Sequence, residues 1–211
     1  AEAVEFGEPT KVLDDIRDKI GDAEEMLSRR QSNVLIPDSD DPLWYKSSKS
    51  KAAKKLEHLP IVFYFIGDGQ EKENLKRYAY GMKSVFFEDP IPQFKMPSYL
   101  ASADAILISL AKIDLFRYGV SPNKLYDAYA LGRPVLTTIP GLINDEVEKY
   151  NVGLTADAEN PDELALSIEK LYLMSFKQRE EMSINARKLA ESNYSRDQIC
   201  KKFLEVINEL I

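Results

Sequence analysis

The sequence contains one cysteine, Cys200, and one histidine, His58. An internal disulfide is therefore excluded, and the chain offers little for zinc clusters or for Ser–His and Cys–His catalytic pairs. We interpret Cys200 as a small apolar residue of the last helix and His58 as a turn residue before a strand. A reducing, cytoplasmic setting is the expectation that follows.

The sequence also lacks long hydrophobic runs and an excess of positive charge. No segment has the apolar length that a membrane-spanning helix needs, and residues 1–8 are too acidic for a signal peptide. The formal net charge of −7 argues against nucleic acid as a partner. We expect a cytoplasmic protein whose only contact with a membrane would be peripheral, at its inner face.

One segment departs from this acidic average, because residues 46–55 contain five lysines. Such a segment can be attracted to an anionic membrane surface or to phosphates. Runs of like charge are more often solvated helices or loops, and we favour that interpretation.

Apolar runs alternate with helical patterns from residue 61 onwards. A continuous apolar run is typical of a buried parallel strand, and Asn160 followed by Pro161 is a strong helix start. This alternation predicts an α/β fold with a doubly wound parallel sheet, right-handed crossovers and extra terminal helices. The predicted strands are 61–66, 84–87, 104–110, 134–139 and 152–155, and the predicted terminal helices are 177–191 and 196–211.

The amino-terminal residues have a helical pattern of their own. Apolar residues at spacings of three and four predict a helix over residues 9–29. We expect this helix to be a remnant of a preceding domain or to cover an exposed edge of the sheet. The stripe consists of Leu13, Ile16, Ile20, Ala23 and Leu27.

A short glycine loop, Gly67 to Gly69, directly follows the first strand of the alternating region. Open α/β sheets bind ligands at the carboxyl ends of their parallel strands, where a glycine loop can approach a ligand closely. Glycine pairs also mark ordinary tight turns between a strand and a helix. The sequence leaves both interpretations open.

The most informative segment begins with a helix start at Ser121 and Pro122. Ser121 is predicted to be the N-cap and Pro122 the first helical residue, while Gly132 ends the helix in a left-handed turn. These signals predict a helix over about residues 122–131.

Charged residues in this helix suggest an anion site. The backbone N–H groups at its start, together with Lys124 one turn later, can hold a diphosphate. Asp127 lies on nearly the same face, where it can accept hydrogen bonds from hydroxyls such as those of a ribose. The alternative is an ordinary capped helix with a solvated aspartate and lysine.

The same segment resembles the donor-binding motif of family 4 retaining glycosyltransferases, which have the two-domain GT-B fold. In that family two glutamates, eight positions apart, precede a small residue, a glycine and a proline. Here Asp127 takes the second acidic position and Gly119 the first, and Ala128, Gly132 and Pro134 follow. The sequence of residues 118–127 is most similar to a bacterial subgroup that builds capsule, O-antigen or other surface polysaccharides from UDP-sugars.

The resemblance implies a site for a UDP-sugar without a metal or a cofactor. Lys124, which would stabilise the leaving UDP, and Arg117, which would flank the sugar, are the expected catalytic residues. Asp127 would hold the ribose, and the loop around Pro90 and Ile91 would frame the uracil. The other expected substrate-binding residues are Gly67, Gly69, Tyr118, Gly119, Val120, Ser121, Pro122 and Asn123.

The resemblance covers residues 33–211, which we predict to form a nucleotide-sugar-binding Rossmann-like domain. A GT-B enzyme also needs an amino-terminal acceptor domain of comparable size. We therefore predict that residues 1–32 are a helical segment, a linker or a remnant of that acceptor domain. The expected acceptor is a glycan or a lipid-linked molecule.

Two parts of the family pattern are not evident in the sequence. Residues 33–37 resemble the crossing between the two domains, where a short strand ends in a proline, and a buried strand followed by a plain turn is the alternative. No opening strand with a glycine turn is visible between 44 and 55. The basic residue which that turn contributes to the diphosphate is also missing, and its expected substitutes are Arg117, Lys124 and Arg133.

Other functions stay open on the sequence alone. An acidic cluster in the presumed hinge, Asp38, Asp40 and Asp41, is a weak candidate for a metal site, since oxygen-ligand sites need further convergent groups. The GT-B fold also hosts UDP-sugar epimerases and inverting uronic-acid transferases. A nucleotide-binding or flavodoxin-like module without catalytic activity is the alternative outside the enzymes.

Overall fold

The computed structural model describes residues 32–37, 43–69, 72–110 and 112–209, with side chains described from residue 48 onwards. The predicted helix over 9–29 and the acidic cluster at 38–41 lie outside the described residues. The elements follow in the order β1 (Ser32–Pro37), α1 (Leu43–Lys55), β2 (Ile61–Ile66), α2 (Lys72–Tyr78), β3 (Val85–Glu88), α3 (Met96–Ser102), β4 (Ala105–Ile108), α4 (Asn123–Ala130), β5 (Val135–Thr137), α5 (Leu142–Lys149), β6 (Gly153–Thr155), α6 (Pro161–Leu173), α7 (Phe176–Leu189) and α8 (Arg196–Glu209).

The described strands form one parallel sheet in the order β3-β2-β1-β4-β5-β6. From β1 the chain winds towards β3, and from β4 it winds towards β6, so the direction of winding reverses between β1 and β4. Ligands of open α/β sheets bind at such a reversal, beside the carboxyl ends of the strands. The predicted α/β class with a doubly wound parallel sheet is confirmed.

The central strand corrects one prediction. Residues 33–37 were expected to be the crossing between two domains, but they belong to β1, which pairs with β2 on one side and with β4 on the other. Val34, for example, is in register with Phe63 and with Ala105. The opening strand that seemed missing from the sequence is therefore this segment, whose apolar residues suit the middle of a parallel sheet.

Helices cover both faces of the sheet. On one face, α1, α2 and α6 pack against the side chains of β2 and β4 that include Phe63 and Leu107. On the other face, α3, α4, α5 and the end of α7 pack against Ile106, Ile108 and Val135. Alternate residues of β4 thus belong to different halves of the core, as a strand covered on both faces requires.

The lysine-rich segment was expected to be a solvated helix or loop; it lies within helix α1, and one of its faces is buried. Ala52 and Ala53 are completely buried, and Lys49 and Ser50 are only 5% and 3% exposed. The physical reason is that residues 49, 52, 53 and 56 recur on one helical face, which packs on the sheet and on α6. Lys55 at the end of α1 pairs with Asp162 of α6 at 2.6 Å.

The last two helices differ in how they pack. Met182, Ala186 and Leu189 of α7 are buried, and a π-helical turn, Ala190–Tyr194, follows directly. Helix α8 is capped by Ser195, whose hydroxyl accepts from the Gln198 amide at 3.4 Å. None of the described residues of α8 is buried, so this helix does not pack its apolar residues on the sheet.

Within the described part of the chain, no helix combines the length and the apolar character that crossing a membrane requires.

Candidate functional site

Three loops that were predicted to bind a ligand lie at the same edge of the sheet. They follow the carboxyl ends of β2, β3 and β4, and they begin at residues 67, 89 and 109. The sheet order places β1 between β2 and β4, so the first and third loops flank the end of β1. The site is thus built at the reversal of winding, where helix starts and strand ends face an open edge.

The first two loops are joined by one lysine that the sequence analysis missed. The side chain of Lys72, the first residue of α2, is 9% exposed, and its Nζ contacts Asp89 Oδ1 at 2.7 Å. The same ammonium donates to the Glu88 carbonyl oxygen at 3.1 Å. The backbone amide of Gly67 also donates to Glu88, at 3.3 Å. These bonds hold the loop that contains Pro90 and Ile91 against the glycine loop.

Within the second loop, the two predicted binding residues have different environments. Pro90 is exposed, whereas Ile91 is half-buried and packs against the core on the α4 face of the sheet. Ile91 therefore anchors this loop, while Pro90 and the neighbouring backbone face solvent.

The helix of the third loop begins one residue later than predicted. Pro122 has φ −75° and ψ 115°, so it is the last extended residue before α4. Ser121 was expected to be the N-cap, and this is wrong. Its hydroxyl donates instead to the hydroxyl oxygen of Tyr126, at 3.2 Å. No side chain caps the start of α4. The Leu125 amide donates to the Pro122 carbonyl oxygen at 2.9 Å, and the amides of Asn123 and Lys124 point towards the open edge.

The other end of α4 agrees with the prediction. Gly132 has φ +60°, and its amide donates to the Tyr129 carbonyl oxygen at 2.9 Å, while the Arg133 amide donates to Ala128 at 2.9 Å. These two bonds form a Schellman motif, in which a glycine adopts the left-handed conformation. Local signals thus position α4 firmly at its carboxyl end.

The charged residues of α4 lie beside its buried face. The buried face of α4 consists of Leu125, Ala128 and Tyr129. Lys124 and Asp127 therefore lie at the border of this buried face. Asp127 is exposed, yet partial burial of its carboxylate raises its pKa. A carboxylate kept in such a place without a described ion pair is a candidate for contact with a ligand.

The segment before α4 presents Arg117, Tyr118 and Gly119 to solvent. A 3-10 turn, Asp114–Arg117, precedes them, and the Tyr118 side chain is 82% exposed. Phe116 and Val120 pack against the core and anchor the segment on both sides of these residues. The predicted sugar-flanking residues therefore lie on a short, exposed arch beside the start of α4.

Tyr194 packs against two tyrosines of α4, Tyr126 and Tyr129. The Tyr194 hydroxyl, in the π-helical turn, donates to Glu146 Oε2 of α5. Its ring lies 4.7 Å from the ring of Tyr126 and 6.3 Å from that of Tyr129, measured between centroids. Burial and the nearby Glu146 carboxylate raise the pKa of Tyr194, and the same two causes raise the pKa of Tyr129. Both phenols therefore stay neutral.

One proposed substitute for the missing basic residue is wrong. Arg133 lies in the turn between α4 and β5, at the amino edge of the sheet, where its Nη1 donates to the Ala103 carbonyl oxygen at 3.2 Å. A ligand at the carboxyl edge is beyond its reach. Lys49, which the sequence analysis did not single out, lines a small pocket with Ser109 and Thr138, directly after the ends of β4 and β5.

Residues 49–189 match the protein family described as "Glycosyl transferases group 1". The chain belongs to this family. The match includes all the predicted site residues, from Gly67 to Asp127, and it begins at the buried Lys49. No curated protein sequence matches the chain.

Solved glycosyltransferases have folds similar to that of this group 1 chain. A glycosyltransferase from Rickettsia africae ESF-5 has a TM-score of 0.68 and 16% identity, covering 96% of this chain and 53% of that one. Anabaena Alr3699/HepE in complex with UDP-glucose has a TM-score of 0.69 and 16% identity, with 93% and 52% covered. The carboxyl-terminal domain of LpcC from Francisella tularensis has a TM-score of 0.62 and 16% identity, with 78% and 87% covered.

These likenesses show the fold of the group 1 chain. The chain spans about half the length of the Rickettsia and Anabaena structures, but it covers most of the isolated LpcC domain. Within the part of the chain that the structure describes, no group of three or more acidic, histidine or cysteine side chains is arranged to hold a metal ion. The acidic residues 38, 40 and 41 lie outside that part.

Proposed function

We propose that this chain is the donor-binding half of a retaining glycosyltransferase that moves a sugar from a UDP-sugar to a glycan or lipid-linked acceptor. Membership of the group 1 family supports the reaction class. Two structures of Anabaena Alr3699/HepE, with UDP and with UDP-glucose, support the choice of nucleotide. Assembly of a bacterial surface polysaccharide in the cytoplasm is the setting that the sequence resemblance suggests.

The observation that carries the proposal is the start of α4. Its first turn has no side-chain cap, it lies at the reversal of winding, and Lys124 stands within that turn. Backbone amides at a helix start, together with the helix dipole, form an anion site. The diphosphate of the donor would bind to the amides of Ser121, Asn123 and Lys124, since Pro122 has no N–H, and to the Lys124 ammonium.

The other predicted residues fit around a nucleotide held in this way. Asp127, one turn further along α4, would accept hydrogen bonds from the ribose hydroxyls. The loop at 89–92, held by Lys72, would frame the uracil. Arg117, Tyr118, Gly119 and Val120 would lie beside the sugar, and the glycine loop at 67–69 would border the site from the other side of β1.

Transfer breaks the bond between the anomeric carbon and the β-phosphate oxygen. The electron pair stays on that oxygen, and the anomeric carbon bonds to a hydroxyl oxygen of the acceptor on the same face of the sugar. The acceptor proton passes to the departing phosphate or to a base of the acceptor half. Positive groups at the start of α4 lower the barrier because they stabilise the charge that develops on the phosphate. This scheme uses no metal ion and no cofactor.

A second half would complete the enzyme. The chain spans about half the length of two similar structures, and we propose that an amino-terminal acceptor domain faces the same edge of the sheet. A lipid-linked acceptor would bring this assembly to the inner face of a membrane as a peripheral protein. Nucleic acid is not among the proposed partners.

The experiment is a calorimetric titration of the chain with UDP, GDP and ADP, each with and without magnesium. Asp127→Ala should abolish or strongly weaken the binding of UDP, because the ribose loses its acceptor. Glu181→Ala, which removes an exposed carboxylate from α7, is the matched control and should bind like the unmodified chain.

Two results would contradict the proposal. Binding that depends on magnesium would contradict the metal-free scheme, and equal affinity for the three nucleotides would contradict a UDP-specific donor site. Binding of UDP without any turnover, once an acceptor half is present, would favour a nucleotide-binding module. Product analysis with that half separates retaining transfer from epimerisation and from inverting transfer of a uronic acid.

A further inference from the structure

A turn that the proposed function does not use lies against the exposed arch at 117–119. It follows β5 and ends at Gly141, which has φ +78° and ψ −135° and accepts the first hydrogen bond of α5 from the Asp145 amide at 2.9 Å. Residues with a side chain rarely adopt such a conformation. Glycine is therefore required here for the backbone angles alone.

Space at this glycine is restricted as well. A Cβ atom on Gly141 would lie 2.3 Å from the carbonyl oxygen of Arg117 and 2.9 Å from its Cα. Leu142, the residue after Gly141, also lies close to the arch, since a Cβ on Gly119 would lie 3.9 Å from Leu142 Cδ1. The backbone of Arg117 thus rests directly on the Cα of Gly141, and it cannot yield by a change of rotamer.

Between its anchors Phe116 and Val120, the arch has few other supports. Its described backbone hydrogen bonds are local ones, from Phe116 to Ile113 at 3.0 Å and from Tyr118 to Leu115 at 3.1 Å. The side chains of Arg117 and Tyr118 are exposed, so packing does not fix them. The contact between Gly141 and the backbone of Arg117 therefore determines the position of the arch relative to α5.

We propose that Gly141 is a positioning residue, which determines how the site recognises the sugar part of the donor. This inference rests on the proposed function, in which the arch flanks the sugar while α4 holds the diphosphate and the ribose. Any side chain at 141 displaces Arg117 to Gly119, but it leaves Asn123 to Asp127 in place. The sugar should then lose its contacts while UDP keeps its own.

The test compares two glycines that both have a positive φ but differ in their surroundings. Gly81, in the turn between α2 and β3 at the amino edge, has φ +84°, and a Cβ there would meet no atom within 4 Å. Gly81→Ala and Gly141→Ala therefore both place a side chain at a residue with positive φ, but only the second forces the arch to move. Calorimetric titration of each variant with UDP and with UDP-glucose gives the ratio of the two affinities.

We expect Gly141→Ala to lower the affinity for UDP-glucose relative to UDP by about tenfold, since small displacements at a site have large effects. Gly81→Ala should lose less thermal stability, because no atom opposes the new Cβ, and it should keep the ratio of the unmodified chain. Loss of stability alone does not alter this ratio, so a purely structural role for Gly141 would leave it unchanged. An unchanged ratio in Gly141→Ala overturns the inference.

Leu142→Ala extends the test without backbone strain, and it serves if Gly141→Ala does not fold. The Leu142 side chain is 59% exposed, so its loss should change stability little. The ratio should fall in the same direction by a smaller factor, and no change would count against the inference. If the unmodified chain binds neither UDP nor UDP-glucose, the proposed function itself fails, and that outcome is distinct from an unchanged ratio.

Discussion

The starts of two helices, α7 and α4, are built in opposite ways. Helix α7 begins with a complete capping box, in which the Ser175 hydroxyl accepts from the Gln178 amide and the Gln178 side chain accepts from the Ser175 amide. Helix α4 begins after Pro122 without a side-chain cap. The first start is at the amino edge of the sheet and the second at the carboxyl edge.

The two helix starts therefore serve different purposes: one stabilises the fold and the other can bind a ligand. A side-chain cap satisfies the first-turn amides within the chain and stabilises the helix. A start without such a cap gives up that stability, but it leaves the amides and the helix dipole available to an anion. The comparison predicts that changes at α7 alter stability alone, while changes at α4 alter binding.

The largest expected effect comes from giving α4 the cap that it lacks. Pro122→Asp places a carboxylate at the N-cap, where it would accept the amide hydrogen bonds and repel a phosphate. We expect the affinity for UDP to fall by about tenfold to a hundredfold, and the helix to gain about 1 kcal/mol.

Pro122→Asn is the matched control for this change. Asparagine caps a helix about as well as aspartate does but carries no charge, and both variants lose the same proline. A weaker loss of affinity with Asn than with Asp, measured by calorimetry, supports an anion site. Equal affinity in both variants and the unmodified chain would show that the start of α4 does not bind the diphosphate.

The second effect should appear at α7, in stability only. Ser175→Ala removes the capping hydroxyl and should lower the free energy of unfolding by about 1 kcal/mol, as measured by urea denaturation. The affinity for UDP should not change, because α7 starts at the opposite edge of the sheet. A loss of UDP affinity in the folded variant would contradict the separation of the two edges.

A smaller effect is expected where a lysine at a helix start holds a neighbouring loop. Lys72→Met removes the ion pair with Asp89 and the bond to Glu88, but it keeps the apolar length of a nearly buried side chain. Because Asp89 is 94% exposed and solvent screens the pair, we expect a change of only about threefold in the preference for UDP over GDP.

The control for Lys72 stands on the same helix. Lys76 pairs with Glu73 at 2.8 Å on the exposed surface of α2, and its interaction with Asp89 is only a minor electrostatic one. Lys76→Met should leave the preference for UDP unchanged. If both variants behave alike, the loop does not depend on the Lys72 bonds.

The sequence alone was sufficient where a structure is local. The strand at Ile61–Ile66 and the helix start at Asn160 agree with the prediction, since an apolar run and a capping residue act over a few positions. That the three candidate loops share one edge of the sheet also followed from the order of the elements. Family resemblance then indicated which loop residues to consider.

Pairing and close approach between distant segments were not predictable in this way. The segment 33–37 is apolar in either interpretation, and only its pairing on both sides identifies it as the central strand. The contact between Gly141 and Arg117 likewise joins separate loops. For Lys49 the signal existed, because residues 49, 52, 53 and 56 lie on one helical face, but the count of lysines suggested a solvated segment.

The smallest expected effect is on stability: the partly buried Asp127 carboxylate on α4 lowers the free energy of unfolding. Burial raises the pKa of Asp127 above the value of about 3.9 that an aspartate has in an unfolded chain. The folded state therefore binds this proton more tightly, and the ionised carboxylate disfavours folding. This cost is absent below about pH 3.9, grows as the pH rises towards the raised pKa, and is constant above it.

Asp127→Asn should consequently be slightly more stable than the unmodified chain at pH 7, and this advantage should shrink as the pH approaches 4. Urea denaturation across this range measures the difference, with Glu181→Gln as the control carboxylate. The same variant should bind UDP less tightly, because a neutral amide is a weaker acceptor for the ribose hydroxyls than a carboxylate. A variant that gains no stability at pH 7 would show that the burial of Asp127 has no cost, and the argument that the carboxylate is retained for binding would lose its physical basis.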